Sequence, residues 1–200
     1  MSTPAGLDPA FTILLVCTGN ICRSALAERL GRAYLNEVLG EAASDIRLMS
    51  AGTGAVVGSA MHPHAAVVLA GFGGIPADFS AQQLTESLPA QADLILTMTR
   101  DHRHAVLAAA PRALARTFTL REAAALLHLG DDATELSGDA FADRARSLVK
   151  KLAAARTRRQ GNEDDDIPDP IGHPIEVHQE VGEAITESLL PLLGRIAGLR

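Results

Sequence analysis

Aromatic residues are scarce in this chain of 200 residues, which contains five Phe, one Tyr and no Trp. Because aromatic walls are a usual means of gripping a flat ligand, a binding site here is expected to use aliphatic contacts. Hydrophobic residues still make up 47% of the chain, which is enough to bury the core of one domain. The composition therefore predicts a globular protein and excludes a disordered or fibrous chain.

Positive charge is also in short supply, since the formal net charge is −6. A protein that binds nucleic acid normally carries a basic stripe. The basic cluster in this chain comprises Arg156, Arg158 and Arg159, at the end of a predicted helix where cations interact favourably with the helix dipole. We therefore expect no nucleic-acid partner.

The chain has only two cysteines, Cys17 and Cys22, and no long apolar run. A disulfide across so short an interval adds little stability, so the scaffold of a small secreted protein is excluded. The N-terminus lacks the basic start of a targeting segment, and the apolar run Thr12–Cys17 is far too short to span a bilayer. We expect a soluble, cytoplasmic protein with no membrane partner.

Short apolar runs alternate with amphipathic segments along the chain. The apolar runs predict four strands, at Thr12–Cys17, Ile46–Ser50, Asp93–Met98 and Arg116–Leu120. The other segments predict helices from about Ser24 to Gly40 and at His62–Ala70, Leu84–Leu88, Arg100–Ala109, Arg121–Leu129, Phe141–Arg158 and Val181–Leu199, with a loop at Gln160–His178. This order predicts an α/β fold with three layers, α/β/α, around a four-stranded, mostly parallel sheet.

The loop after the first strand reads C-T-G-N-I-C-R-S, from Cys17 to Ser24. In such sheets ligands bind beyond the carboxyl ends of the strands, which is where Cys17 lies. Gly19 and Asn20 tolerate left-handed dihedrals, so the backbone can curl into a nest of N–H donors in front of the next helix. Arg23 adds a planar guanidinium suited to two phosphate oxygens. The sequence therefore predicts a phosphate-binding loop.

A thiol at the centre of such a receptor loses its proton readily. The thiolate of Cys17 is then placed for in-line attack on phosphorus, while Arg23 and the loop amides stabilise the spreading negative charge. Ser24 can hydrogen-bond the sulfur, and its hydroxyl also suits a helix N-cap. The alternative is a Cys17 that only fills the core, with Arg23 and Ser24 as ordinary surface and cap residues. The combination of strand, C-x5-R-S spacing and helix favours the catalytic interpretation.

The segment VCTGNICRSALAERL resembles the signature of the low molecular weight protein tyrosine phosphatase family. The S-A-G-T turn at Ser50–Thr53, the strand DLILTM and the D-P pair at Asp169–Pro170 extend the resemblance over nearly the whole chain from Phe11 onward. The resemblance implies hydrolysis of phosphotyrosine in proteins through a phosphocysteine intermediate, without a cofactor. A phosphorylated protein is then the substrate and inorganic phosphate the product.

The resemblance also assigns roles to individual residues. It implies Cys17 as the nucleophile and Arg23 as the clamp on the transition state. It implies that Ser50 shares a hydrogen-bond network with Asn20 and Ser24 that fixes the shape of the loop. The phosphate-binding residues that it implies are Thr18, Gly19, Asn20, Ile21, Cys22, Arg23 and Ser24.

Attack by a thiolate also requires a group that protonates the leaving oxygen and later activates water, and one carboxyl group can do both. Asp169 lies between Pro168 and Pro170, which restrict its backbone. By resemblance to the family's D-P motif, Asp169 is this acid. The preceding run Asp164–Asp166 either raises the proton affinity of Asp169 by like-charge repulsion or is a solvated loop.

Cys22 and the histidines admit more than one interpretation. Cys22 either forms a reversible disulfide with Cys17 that protects the nucleophile or packs as a buried residue of the loop. The H-x-H pairs at His62–His64 and His102–His104 lie at predicted helix starts, where we expect no nearby cysteine and therefore no metal site.

Several residues depart from the family pattern. Ile171 and Gly172 follow the D-P pair where many members have two aromatic residues, and Gly54–Val57 also supply none. A site so lined forgoes a stacking contribution of about 0.5–1.5 kcal/mol. Phe79 stands where a His is frequent, which predicts the loss of one support of the loop network.

The departures bear on the substrate and on the domain plan. Protein arginine phosphatases share the fold and typically carry Thr at the position of Ile21. The presence of Ile at this position favours phosphotyrosine as the substrate of this chain. Two competing hypotheses are an arsenate reductase that uses an external thiol and a non-catalytic phosphate-binding module. The chain is longer than a typical member, so we expect an N-terminal extension at 1–10 and one domain at 11–200 with a helical insertion at about 130–159.

Overall fold

Four parallel strands form the centre of the structure, a computed structural model that describes residues 11–129 and 141–198. They are β1 (Phe11–Cys17), β2 (Ile46–Gly52), β3 (Leu94–Thr97) and β4 (Thr117–Thr119), in the order β2-β1-β3-β4. The predicted fold class is confirmed, and all four described strands are parallel.

Helices cover both faces of this sheet. They are α1 (Arg23–Leu39), α2 (Pro63–Gly71), α3 (Ser87–Gln91), α4 (Arg100–Ala109), α5 (Leu120–Leu129), α6 (Phe141–Ala155) and α7 (Ile175–Ile196). Successive residues of β1 alternate between two cores: Ile13 and Leu15 face the core under α1 and α7, while Leu14 and Val16 face the core on the α4 side. Because both faces of β1 are buried, its sequence is a continuous apolar run.

Two predicted helices are displaced. The helix expected at Leu84–Leu88 is α3, at Ser87–Gln91, because the N–H of Leu84 instead donates to Gly52 O at 2.8 Å and extends the edge beside β2. The last helix begins at Ile175 rather than at Val181, directly after Pro174, which occupies its N-cap. The predicted loop at Gln160–His178 is therefore shorter than expected.

The described part of the expected insertion is helical. Helix α6 packs on α5 and α7, with Leu148, Val149 and Leu152 buried. The expected N-terminal extension, residues 1–10, and residues 130–140 lie outside the described residues. Among the helices that are described, none has the length and apolar character needed to cross a membrane.

Two features of the fold place the loop that follows β1. The loop runs from the carboxyl end of the central strand directly into α1, so the amino end of that helix points at it. Gly52, at the end of β2, lies so close that a Cβ there would come within 2.3 Å of Thr18 O. The S-A-G-T turn therefore requires glycine at this position.

Candidate active site

The carbonyl groups of the loop after Cys17 are held on one side by the segment that follows β2. The N–H groups of Thr53, Gly54 and Val56 donate to the carbonyl oxygens of Cys17, Thr18 and Gly19 at 2.9–3.0 Å, and His62 N–H donates to Ile21 O at 2.8 Å. In a planar trans peptide the C=O and the following N–H point in opposite directions. The loop N–H groups are thereby turned away from that segment, as an anion receptor requires.

Asn20 holds the loop in this shape. Its φ is +54°, in the left-handed region that asparagine tolerates, whereas Gly19, expected to share this role, has no positive φ. The Asn20 side chain donates to Ser24 Oγ at 2.9 Å and to Ser50 Oγ at 2.8 Å, and its Oδ1 accepts from Gln82 N–H at 2.8 Å. The structure thus contains the network expected from the resemblance.

The network continues beyond the residues identified from sequence. Ser50 donates its hydroxyl hydrogen to Glu28, whose pKa is raised chiefly by burial. The Gln82 side chain donates to Ser50 O at 2.8 Å. We expected Phe79 to cost the network one support. The structure differs, because Gln82 and Glu28 satisfy the polar groups around Asn20 and Ser50.

Ser24 presents a hydrogen bond to the predicted nucleophile. Cys17 Sγ lies 2.9 Å from Ser24 Oγ, and both side chains are buried. Because Asn20 already donates to Ser24 Oγ, the hydroxyl hydrogen of Ser24 is free to point at the sulfur and to stabilise a thiolate. Ser24 is not the N-cap of α1, as the sequence suggested, since Cys22 occupies that position.

Arg23 is only 3% exposed, and its guanidinium lies at the mouth of the loop. One Nη donates to Ile167 O at 3.0 Å, while the other contacts Thr18 Oγ1 at 3.4 Å and forms an ion pair with Asp169. Its Nε is buried and has no partner among the described residues. A buried donor without an acceptor is costly, so Nε and the outer Nη together suit an incoming oxyanion.

Asp169 faces Arg23 across the cleft with a side chain that is 44% exposed. Its second carboxyl oxygen accepts from Ile171 N–H at 3.2 Å, which orients the carboxyl group within its own loop. That loop is fixed to the end of β3 because Ile167 N–H donates to Met98 O at 2.8 Å. The predicted acid and the predicted clamp are therefore in direct contact.

The acidic run before Asp169 anchors this loop to the rest of the fold. Asp165, which is 2% exposed, pairs with both terminal nitrogens, Nη1 and Nη2, of Arg159. Asp166 accepts from the backbone N–H of Arg100 at 2.7 Å and from the Arg100 guanidinium at 3.1–3.2 Å. The interpretation of Asp165 and Asp166 as part of a solvated loop is therefore wrong, because both carboxylates are paired with arginine.

His102 is a site residue that sequence reasoning missed. Its Nε2 lies 2.9 Å from Thr18 Oγ1 and its Nδ1 lies 2.9 Å from Thr99 Oγ1. Burial and the charge of Arg23 lower its pKa to about 4, so the ring is neutral near pH 7. Arg23 donates to Thr18, which leaves the Thr18 hydroxyl hydrogen for His102. Nothing in the sequence beyond an H-x-H pair signalled this contact.

The loop, Arg23 and Asp169 surround a cleft of about 280 Å³. Its outer wall is aliphatic, formed by Ile21, Val56 and Ile171, with Gly54 between them, as the scarcity of aromatic residues predicted. Cys22 also lines the cleft, and both cysteines are free thiols. Burial, with a smaller contribution from Cys17, raises the pKa of Cys22 to about 12.

A buried sulfur at the base of an anion receptor, with a guanidinium and a carboxyl group at its mouth, is the arrangement of a cysteine-dependent phosphatase. Comparison with known proteins agrees. The family model described as "Low molecular weight phosphotyrosine protein phosphatase" matches residues 12–131. The chain belongs to this family of phosphatases.

Individual relatives match about half of the chain. The probable low molecular weight protein-tyrosine-phosphatase EpsP of Ralstonia nicotianae is 39% identical over 111 residues, which span 56% of this chain and 71% of that protein. Wzb of Escherichia coli K12, a low molecular weight protein-tyrosine-phosphatase, is 39% identical over 99 residues, 50% of this chain and 62% of Wzb.

A solved structure shares the fold over nearly the whole chain. The YwlE arginine phosphatase from Geobacillus stearothermophilus is 28% identical, with a TM-score of 0.65 over 94% of this chain and 93% of that one.

The range matched by the family model contains Cys17–Ser24 and Ser50 but ends before Asp169. The role of Asp169 therefore rests on its contact with Arg23 at the cleft.

Proposed function

We propose that this chain hydrolyses phosphotyrosine in proteins, and simple aryl phosphates, through a phosphocysteine intermediate. The observation that carries the proposal is the cleft in which Cys17, Arg23 and Asp169 meet around the loop amides. The thiolate of Cys17 attacks phosphorus, and the bond to the leaving oxygen breaks as Asp169 transfers a proton to that oxygen. Water, activated by the Asp169 carboxylate, then releases phosphate from the sulfur.

The loop supplies the electrostatic part of the mechanism. We assign phosphate binding to the backbone of Thr18, Gly19, Asn20, Ile21, Cys22, Arg23 and Ser24, with Ser50 as a supporting residue. Arg23 changes partners as the substrate arrives: its Nε and outer Nη bind two phosphate oxygens, and Asp169 is released towards the leaving group. Ser24 stabilises the sulfur as a thiolate before attack and as a leaving group after it.

A protein arginine phosphatase is the second candidate, and two observations favour it. The wall formed by Val56 and Ile171 offers no aromatic stacking partner, and the structural neighbour YwlE is an arginine phosphatase. Ile21, which lines the cleft where that group typically carries Thr, supports phosphotyrosine instead. An arsenate reductase supplied with an external thiol remains a minor candidate, as does a non-catalytic phosphate-binding module.

The location, the partners and the domain plan of the protein complete the proposal. We propose a cytoplasmic enzyme that takes a phosphorylated protein as partner, releases inorganic phosphate and engages neither nucleic acid nor membrane. We also propose one domain over 11–200, preceded by an extension at 1–10 and carrying an insertion at 130–159 whose helix α6 packs on α5.

A kinetic panel distinguishes these activities. Peptides carrying phosphotyrosine, phosphoarginine or phosphoserine, and arsenate with a thiol, are offered to the wild-type chain and to the Cys17→Ser variant. We expect the highest kcat/KM for phosphotyrosine and a loss of roughly 10⁴-fold or more in the variant, as for removal of other catalytic nucleophiles. Faster release of phosphate from phosphoarginine would move the chain to the second candidate. Unchanged turnover in Cys17→Ser would overturn the mechanism.

A further inference from the structure

Three histidines from two parts of the fold meet beside Cys22. The rings of His62, at the start of α2, and His178, in α7, are stacked with centroids 4.8 Å apart, and His64 meets both edge-on at 5.1–5.3 Å. One ligand atom from each of Cys22, His62 and His178 lies within 4.8 Å of the other two. The sequence-based expectation that no cysteine lies near the His62–His64 pair is therefore wrong.

His178 has a buried ring nitrogen that lacks a hydrogen-bond partner among the described residues. Its ring is 2% exposed, and its Nε2 is buried without a hydrogen-bond partner in the described part of the chain. A neutral imidazole that carries its proton on Nδ1 has a lone pair at Nε2, and this is the state in which a histidine ligates a metal through Nε2.

The second H-x-H pair shows what a satisfied histidine looks like in the same protein. Both ring nitrogens of His102 lie 2.9 Å from threonine hydroxyls, and His104 is exposed. Packing alone would leave His178 with the same need for two partners, because buried polar groups are almost always hydrogen-bonded. Packing therefore leaves Nε2 of His178 unsatisfied, and a ligand at this nitrogen would satisfy it.

We propose that Cys22, His62 and His178 bind one zinc ion. One thiolate and two neutral imidazoles form a ligand set that zinc prefers, with a fourth position left for water or His64. A tetrahedral site brings ligand atoms to about 3.5 Å from one another, so these side chains close by about 1 Å on binding. Helices α1, α2 and α7 are then joined at the back of the loop that follows β1.

The protons balance in a simple way. Cys22 binds as the thiolate, so its thiol proton passes to water when the ion arrives. His62 Nδ1 accepts a long hydrogen bond of 3.3 Å from His64 N–H, so binding at Nε2 requires the ring proton to move to Nδ1 and this bond to break. Because Cys22 is then a zinc ligand, it is withdrawn from a disulfide with Cys17.

Cobalt titration tests the site, because a thiolate bound to Co²⁺ gives an absorption band that the metal alone lacks. We titrate the reduced full-length chain with Co²⁺ and then displace it with Zn²⁺. We expect one equivalent to bind, with the thiolate band kept in Cys17→Ser and lost in Cys22→Ser. His178→Gln and His62→Gln should weaken binding by roughly 100-fold. His104→Gln, in the other pair, should bind as the wild type does.

The proposal is overturned if no thiolate band forms, if the band survives in Cys22→Ser, or if it disappears in Cys17→Ser, which would place the ion on the nucleophile. Circular dichroism checks that the variants fold. His62 is only half-buried, so His62→Gln remains informative if substitution of the buried Cys22 or His178 disturbs the core. None of these readouts depends on phosphatase activity, so failure here leaves the proposed function intact.

Discussion

The two loops that form the cleft are held in different ways. The loop Cys17–Arg23 is fixed by a hydrogen bond between two neutral side chains, those of Asn20 and Ser24, and both residues are 0% exposed. The loop that carries Asp169 is fixed by ion pairs at Asp165 and Asp166, while Asp169 itself is 44% exposed. A receptor for a charged group must keep its shape during the reaction, whereas an acid must change its hydrogen-bond partner.

The two loops are also supported from different parts of the fold. The first loop is supported from Ser50 and Gln82 at the edge of the sheet. The second is supported by Met98, which follows β3, by Arg100, the first residue of α4, and by Arg159. The comparison predicts that damage to the acid loop can be graded: loss of the acid should affect chemistry alone, and loss of an anchor should affect both stability and chemistry.

Among changes that affect the acid loop, Asp169→Asn is expected to have the largest effect. Without a proton donor the leaving oxygen departs as an anion, so kcat/KM, which reports the first chemical step, should fall by about 10²- to 10⁴-fold for a poor leaving group. The fall should be steep for phenyl phosphate and small for nitrophenyl phosphate, whose leaving group needs little protonation. A leaving-group series of kcat/KM values checks this. The free energy of unfolding should stay close to the wild-type value because the side chain is half-exposed.

Asp164→Asn is the matched control, since Asp164 is an exposed carboxylate of the same segment. It should leave both the rate and its leaving-group dependence unchanged. If Asp169→Asn slowed all leaving groups equally, Asp169 would position the substrate rather than protonate it, and the contrast between the two loops would lose its chemical basis.

Arg159→Gln is expected to have an intermediate effect, because it leaves the buried Asp165 with the Asn162 N–H as its one strong donor among the described residues. Burial by itself raises the pKa of Asp165, but hydrogen bonds from Arg159 and Asn162 outweigh it and lower that pKa below its ordinary value. The free energy of unfolding should fall by about 1–3 kcal/mol at pH 7, with a smaller loss in kcat as Asp169 loses its support. Urea unfolding and phosphatase assays measure the two.

The pH dependence gives an independent check. A carboxyl group with a depressed pKa in the folded state stabilises the fold above its unfolded pKa of about 3.9, and this contribution is lost as pH falls through the lower, folded pKa. Arg159→Gln should therefore flatten the acid limb of the stability curve. Arg158→Gln, an exposed neighbour, is the matched control and should follow the wild type. If the stability curve of Arg159→Gln also follows that of the wild type, the ion pair between Arg159 and Asp165 does not anchor the loop.

The strands and the phosphate loop were predictable because their signals are local. A continuous apolar run, a C-x5-R-S spacing and an amphipathic helix follow one another directly between Phe11 and Leu39. Helix bounds were missed where a distant contact decided them, as when Leu84 paired with Gly52 instead of starting a helix.

The supports of the site were less predictable for the same reason. The contact between Thr18 and His102 spans 84 positions, and Arg23 reaches Ile167 across 144. A motif identifies side chains that touch the substrate, but the groups behind them are chosen by how the elements pack. The neighbourhood of Cys22, His62 and His178 belongs to this class, since each residue is ordinary in its own segment.

Ile171→Phe is expected to have the smallest effect and the opposite sign. Ile171 lies on the acid loop, lines the cleft and is 47% exposed, so a larger ring can turn towards the substrate without entering the core. Restored stacking of about 0.5–1.5 kcal/mol should raise kcat/KM for a phosphotyrosine peptide by roughly twofold to tenfold. Phosphoarginine should gain less. Val57→Phe, an exposed position that does not line the cleft, should change neither. If Ile171→Phe lowers kcat for both substrates, the added ring disturbs Asp169, and the acid loop is less tolerant of change than its exposure indicates.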